Sequence, residues 1–182
     1  MEAEKTLRYP IGTLEEQEYF NAPFSEALKT ELITGIKFLP NNLEMAISNL
    51  DAAHLHIPYR PGGWSVAQLI HHVADSHINA YTRFKLVLTE ENPVIKTYDQ
   101  DAWAQLADNT STPVNVSLTL LHALHTRWVA LLKSMSVEQW DRTCFHPEKN
   151  EKLSAWSLLK SYSWHGKHHT AHITEFRKRQ HL

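Results

Sequence analysis

SVAQLIHHVADSHINAYTRFKLVLT, Ser65 to Thr89, is the stretch that decides the fold. Its apolar residues Val66, Ile70, Val73, Ile78, Tyr81, Phe84 and Leu88 recur mostly three or four apart, the spacing of one helix face and not the alternation of a strand. Pro61-Gly62-Gly63 stops whatever precedes it, and Ser65 supplies a hydroxyl suited to cap the first free N–H groups of a helix.

The same period recurs on both sides. From Ser25 to Leu50 the apolar stripe is Leu28, Leu32, Ile36, Leu39, Leu43 and Ile47, and Pro40 is expected to kink or interrupt the helix. From Asn115 or Ser117 to Met135 it is Leu121, Leu124, Trp128, Leu131, Leu132 and Met135. From Ser154 to the end of the chain it is Leu158, Tyr162, His165, His169, His172 and Phe176. Four amphipathic helices of roughly 20–25 residues, with no alternating strand pattern of any length, predict an all-α four-helix bundle. Only five glycines agree with few tight turns.

Residues 1–182 fit one domain of ordinary size. The inter-helix loops are long. Glu90 to Val114 has a short helix expected around Gln100 to Ala107, and Ser136 to Leu153 contains the turn HPEKNEK. Loops beyond about 12–15 residues usually serve a purpose, so both are expected to cover the mouth of a site.

Eighteen basic against twenty acidic residues, without a basic run interleaved with aromatics, argue against a nucleic-acid partner and for a small-molecule substrate. MEAEKTLRYP has no apolar signal region, and no stretch approaches the ~20 apolar residues that span a bilayer, so a cytoplasmic protein with no membrane partner is expected. The one cysteine, Cys144, excludes an internal disulfide and reads as a small buried hydrophobe.

Thirteen histidines are the unusual feature, and WHGKHHTAHI, Trp164 to Ile173, holds four of them. His165 with His169, and His168 with His172, have the i, i+4 spacing by which two imidazoles grip one ion. Only the first pair lies on the core stripe. A third ligand should come from another helix, and in HHVADSH a helical wheel groups His72 with Ser65, Leu69, Ser76 and Arg83 in a sector about 60° wide beside the apolar face. His71 and His77 fall away from that sector. Gly166, between the paired histidines, calls for close packing or a constraint at the site, since glycine costs about 1 kcal/mol against alanine in a helix.

PYRPGGWSVAQLIHHVADSHINAYTRFKLVLTEENP (Pro58 to Pro93), LHTRWVALL and WHGKHHTAHITEFRKR resemble the DinB-like superfamily, and within it the YfiT-like branch of metal-dependent hydrolases. The similarity covers nearly the whole chain, from LRYPIG at Leu7 onward. The resemblance implies a four-helix bundle with three histidines on a divalent metal. One follows the tryptophan of a Gly-Trp-Ser/Thr segment by eight residues and two lie on the last helix at i, i+4. In this sequence those positions are His72, His165 and His169, the set that the wheel favours. The resemblance also implies a homodimer, and it includes relatives that transfer low-molecular-weight thiols such as bacillithiol or mycothiol to electrophiles.

Three neutral histidines leave a coordination position open, as catalytic sites do. There a metal makes water acidic enough to act near neutral pH, giving hydrolysis, or holds a thiol as thiolate, giving S-transfer. One divalent ion per chain is expected, zinc in function with nickel as the alternative. Asp75 and the Ser76 hydroxyl are the candidates to orient an imidazole or accept a proton, with His172 and His168 as acid–base groups standing behind the ligands. Arg83, on the metal stripe, is the candidate to bind a substrate carboxylate, the alternative being an interhelical salt bridge. The readings are a metal-dependent hydrolase, a metal-dependent thiol S-transferase, and a non-enzymatic bundle with a structural metal.

Overall fold

The computed structural model describes residues 2–182, with side chains from residue 4 onward. Its elements in chain order begin with α1 (Glu2–Arg8), α2 (Glu26–Ile47), α3 (Ala52–Leu55) and α4 (Val66–Thr89). After these come α5 (Gln100–Trp103), α6 (Ala107–Ser111), α7 (Val114–Ser134), a 3-10 turn (Glu138–Asp141), β1 (Thr143–His146), β2 (Glu151–Ser154) and α8 (Ala155–Gln180). The four long helices α2, α4, α7 and α8 are those expected. Ser25, Ser65 and Ser154 each cap one of them, and at α4 a reciprocal bond from the Gln68 side chain completes a capping box.

These helices form a ring in the order α2–α8–α4–α7. The consecutive pairs α2/α4 and α7/α8 thus stand diagonally across the bundle, which is why the chain needs long connections. The segment between α4 and α7 is pinned to the start of α4, where Trp64 Nε1 donates to Asp101 (3.0 Å) and Gln68 Nε2 to the Ala104 carbonyl (2.9 Å). It contains two short helices, α5 and α6, in place of the single one expected.

The expectation of no strands is corrected by the antiparallel hairpin β1–β2, with Thr143 opposite Ser154 and His146 opposite Glu151. Four-residue strands are too short to display a period, and the HPEKNEK turn closes them with Asn150 at φ 51°, a conformation asparagine tolerates. Val94 bridges Phe145 alongside, so the two long connections are stitched to each other.

Pro40 does not interrupt α2. Proline cannot donate to the carbonyl four residues back, that of Ile36, and His125 Nδ1 on α7 donates to that oxygen instead (2.6 Å). Gly166 on α8 faces the same part of α2: a Cβ there would lie 2.7 Å from Leu39 Cδ2, so the glycine permits close helix packing.

The core is divided. One apolar cluster holds Leu32, Ile36, Phe84, Trp128, Leu132 and Tyr162; the other holds Leu39, Leu43, Ile70, Leu121, Ile173 and Phe176. Each long helix contributes to both, and at the level where they part lie His77, His125, and His165 with His169. A layer of buried histidine thus crosses an otherwise apolar bundle.

Candidate metal centre

His72 from α4 and His165 and His169 from α8 come together, with one ligand atom from each lying within 4.8 Å of the others. His72 Nε2 is 3.3 Å from His165 Nε2. Two nitrogens each about 2.0–2.1 Å from one tetrahedral ion stand about 3.3 Å apart, so this spacing fits an edge of such a site. Trp64 packs on His72 with ring centroids 4.5 Å apart, closing one side.

Burial sets the protonation of the group. It pushes His72 down to about 4, and it pushes His165 and His169 well below the ordinary histidine range, helped by the neighbouring imidazoles. Near pH 7 all three are neutral, which is the form that binds metal. Taking imidazoles out of water is unfavourable unless their polar atoms find partners, and here the polar contacts of the three rings are with other imidazoles: His72 with His165, His165 with His77, and His169 with His172.

A cavity of about 710 Å³ opens on the group, lined by His72, His165, Ser76, Arg83, Tyr98 and Tyr162, among others. Both long connections help line it, through Thr97, Tyr98 and Gln100 and through His146 and Lys149 of the hairpin, as does the segment before α2 with Leu14 and Phe20. Arg83 Nη1 donates to the Tyr162 hydroxyl (2.6 Å) and Nη2 to the Lys96 carbonyl (2.9 Å), while its Nε is buried without a partner. The guanidinium is held at the cavity by a hydroxyl and a carbonyl rather than by an interhelical salt bridge.

Asp75 stands away from the cavity wall, and His172 stands behind the proposed ligand His169. Asp75 is not among the residues lining the cavity; its carboxyl meets Asn109 of α6, and burial and Asp108 push its pKa up. His172 lies behind His169, with Nδ1 3.4 Å from His169 Nδ1 and Nε2 3.0 Å from the Arg8 carbonyl. Both its nitrogens are engaged. His168 stacks on Trp164 to one side, and His71 pairs with Ser117 Oγ at 2.7 Å.

His77 and His125 were missed. His77 is fully buried, with Nε2 3.2 Å from His165 Nδ1 and Nδ1 2.9 Å from His125 Nε2. A signal was present, because Val73, His77, Ala80 and Phe84 run 4-3-4, as do Leu121, His125, Trp128 and Leu132. Reading Ile78, which is 37% exposed, and Leu124 into the stripes displaced the two histidines from the core faces.

Fold and site together define a class: a four-helix bundle with a three-imidazole group beside a cavity lined in part by the inter-helix connections. The chain belongs to the DinB superfamily, whose sequence model matches residues 36–173. Relatives from Bacillus cereus (strain 03BB102) and Bacillus thuringiensis subsp. konkukian (strain 97-27) are 51% identical over 174 residues, covering 95% of this chain and 96% of theirs. Both carry the name "Putative metal-dependent hydrolase". The solved structure of YfiT from Bacillus subtilis matches with a TM-score of 0.92 at 41% identity, over 97% of this chain and 99% of that one. It is described as "a probable metal-dependent hydrolase with an unusual four-helix bundle topology". Among the described residues no helix is long and apolar enough to cross a membrane.

Proposed function

We propose that the chain is a metal-dependent hydrolase in which His72, His165 and His169 hold one divalent ion, zinc in function and nickel as the alternative. The observation that carries this reading is the convergence of three neutral imidazoles from two helices, His72 and His169 buried and His165 half-buried, beside a cavity that His72 and His165 line. Among the described residues no fourth histidine, cysteine or carboxylate joins the group, which favours an open catalytic position over a saturated structural one. A bound divalent ion supplies Lewis acidity and lowers the pKa of water or a thiol at its open position.

The chain's own residues do the rest. Arg83, anchored by Tyr162 and the Lys96 carbonyl on the cavity wall, is placed to receive an anionic group of a small-molecule substrate. Because Arg83 donates to the Tyr162 oxygen, the hydroxyl proton of Tyr162 is free for an oxyanion in the cavity. His146 accepts the Lys149 N–H at Nδ1 (3.3 Å) and so carries its own proton on Nε2 when neutral, as a donor on the cavity wall. These lining groups are better placed for proton transfer than Asp75 or His172, which act from behind the wall.

One observation favours a second reading, metal-dependent S-transfer from a low-molecular-weight thiol. The cavity of about 710 Å³ has a polar lining in which Lys149, Lys152, Lys160 and Arg83 alternate with Glu15, Glu148 and Glu151, leaving room for a polar thiol that bears a sugar or a carboxylate. The test is elemental analysis of the purified protein beside His165→Ala, then turnover of ester, amide and electrophile panels with and without a small thiol. About one metal per chain, lost in the variant, and thiol-independent cleavage support the hydrolase. Turnover only with thiol selects the transferase, and no metal in either protein contradicts both.

A further inference from the structure

The histidines behind the proposed metal ligands form chains with a definite direction. A carbonyl oxygen only accepts, so His125 Nδ1, 2.6 Å from the Ile36 oxygen, must carry a proton. His125 is 2% exposed, and burial pushes its pKa down to about 4, so its ring is neutral and Nε2 is an acceptor. His77 Nδ1 must therefore be the donor across the 2.9 Å contact, which leaves His77 Nε2 as acceptor. The His77 and His125 ring planes are 5° from parallel with their centroids 5.0 Å apart, an arrangement compatible with the 2.9 Å N–H···N contact. His165 Nδ1, 3.2 Å from His77 Nε2, is then the donor, and the lone pair of His165 falls on Nε2, the atom that faces His72.

We propose that Pro40, His125 and His77 form a positioning relay for the metal ligand His165: the carbonyl that Pro40 leaves free in α2 orients His125, His125 orients His77, and His77 fixes His165 as the Nδ1–H tautomer with Nε2 presented to the ion. The inference rests on the proposed metal site. His172 does the same for His169 over a shorter path, since its Nε2 donates to the Arg8 carbonyl and its Nδ1 receives the His169 Nδ1–H. Both ligands from α8 thus have Nδ1 tied to a neutral histidine that ends on backbone, where carboxylates or carbonyls commonly hold a ligating histidine directly. A neutral relay adds no charge to the site, so it orients the ligand without making it more anionic.

Two measurements test the relay. The first is nitrogen-15 NMR of the histidine rings in metal-free protein at neutral pH, which reads each tautomer without reference to activity. Nδ1–H forms at His125, His77 and His165 are expected, and an Nε2–H form at His77 or His165 overturns the proposal. The second is calorimetric zinc titration of wild type, His77→Leu and His77→Gln. Leucine fills the buried volume but cannot relay a hydrogen bond, so about 10–100-fold weaker zinc binding is expected, as for outer partners of other metal sites. Glutamine can donate and accept, and is expected to recover part of that loss. Unchanged zinc affinity in a folded His77→Leu overturns the relay, and if that variant does not fold the tautomers of the wild type decide alone. Wild type that binds no zinc refutes the metal site, whereas wild type that binds zinc with the wrong tautomers refutes only the relay.

Discussion

The histidine layer has two sides that use the same side chain in opposite ways. Toward the cavity, His72 and His165 stand beside Ser76, Arg83 and Tyr162 and keep a lone pair for an exogenous partner. Toward the core, His77, His125 and His172 have both nitrogens engaged within the protein. What sets the proposed ligands apart is convergence: His71 Nε2 and His168 Nδ1 are also buried without a partner, but only His72, His165 and His169 bring a ring nitrogen each to within 4.8 Å of the others.

The contrast breaks most sharply at the ligands. His72→Ala, His165→Ala or His169→Ala should each weaken metal binding beyond the ~10–100-fold typical of outer partners and abolish turnover, as followed by calorimetry and elemental analysis. His71→Ala and His181→Ala should leave about one metal per chain. Equal metal retention in the two sets would remove the distinction.

Arg83→Met probes the cavity side alone. Removing a charge-assisted hydrogen bond worth ~1.5–3 kcal/mol should lower kcat/KM for an anionic substrate about 10–100-fold with metal content unchanged. A comparable loss on a neutral substrate would point to a structural role through Tyr162.

Acid should act through the core side. His125 has a pKa of about 4 in the folded protein against 6.5 for the ordinary residue, so between these values the unfolded chain binds a proton that the folded chain does not. Stability is full above pH 6.5 and falls as pH drops toward 4, by up to about 1.4 kcal/mol per pH unit for such a histidine. His168, pushed down to about 3, and His172, to about 4, act in the same direction. Denaturant unfolding of metal-free protein between pH 7 and 4 measures this, and a flat profile would mean that these rings are hydrated.

Smaller effects sharpen the boundary. Gly166→Ala would set a methyl 2.7 Å from Leu39 Cδ2 and should cost about 1–3 kcal/mol by overpacking, seen as a lower denaturation midpoint. His71→Ala, which loses the bond to Ser117, should cost about 1 kcal/mol and no metal.

Much of this was legible in the residues. Long periodic segments with serine caps gave the four main helices, and the core stripe of α8 singled out His165 and His169 over His168. Ring order was hidden because the diagonal placement of α2/α4 and α7/α8 depends on how loops travel, which no local period encodes. The β1–β2 hairpin was hidden because four residues show no alternation. The relay was hidden for another reason: His77 and His125 are not spaced from any ligand along one helix, and only tertiary packing sets them in line with the carbonyl that Pro40 frees. Asp75 illustrates the converse, since one helical turn from His72 is near in sequence but faces α6 in the fold.

The most direct measurement is a crystal structure of the zinc-loaded protein with the ion located by its anomalous scattering. One ion should lie about 2.0–2.1 Å from a ring nitrogen of each of His72, His165 and His169, with His77 and His125 outside the coordination sphere. An ion bound by His168 and His172, or by His77 in place of His165, would contradict the account.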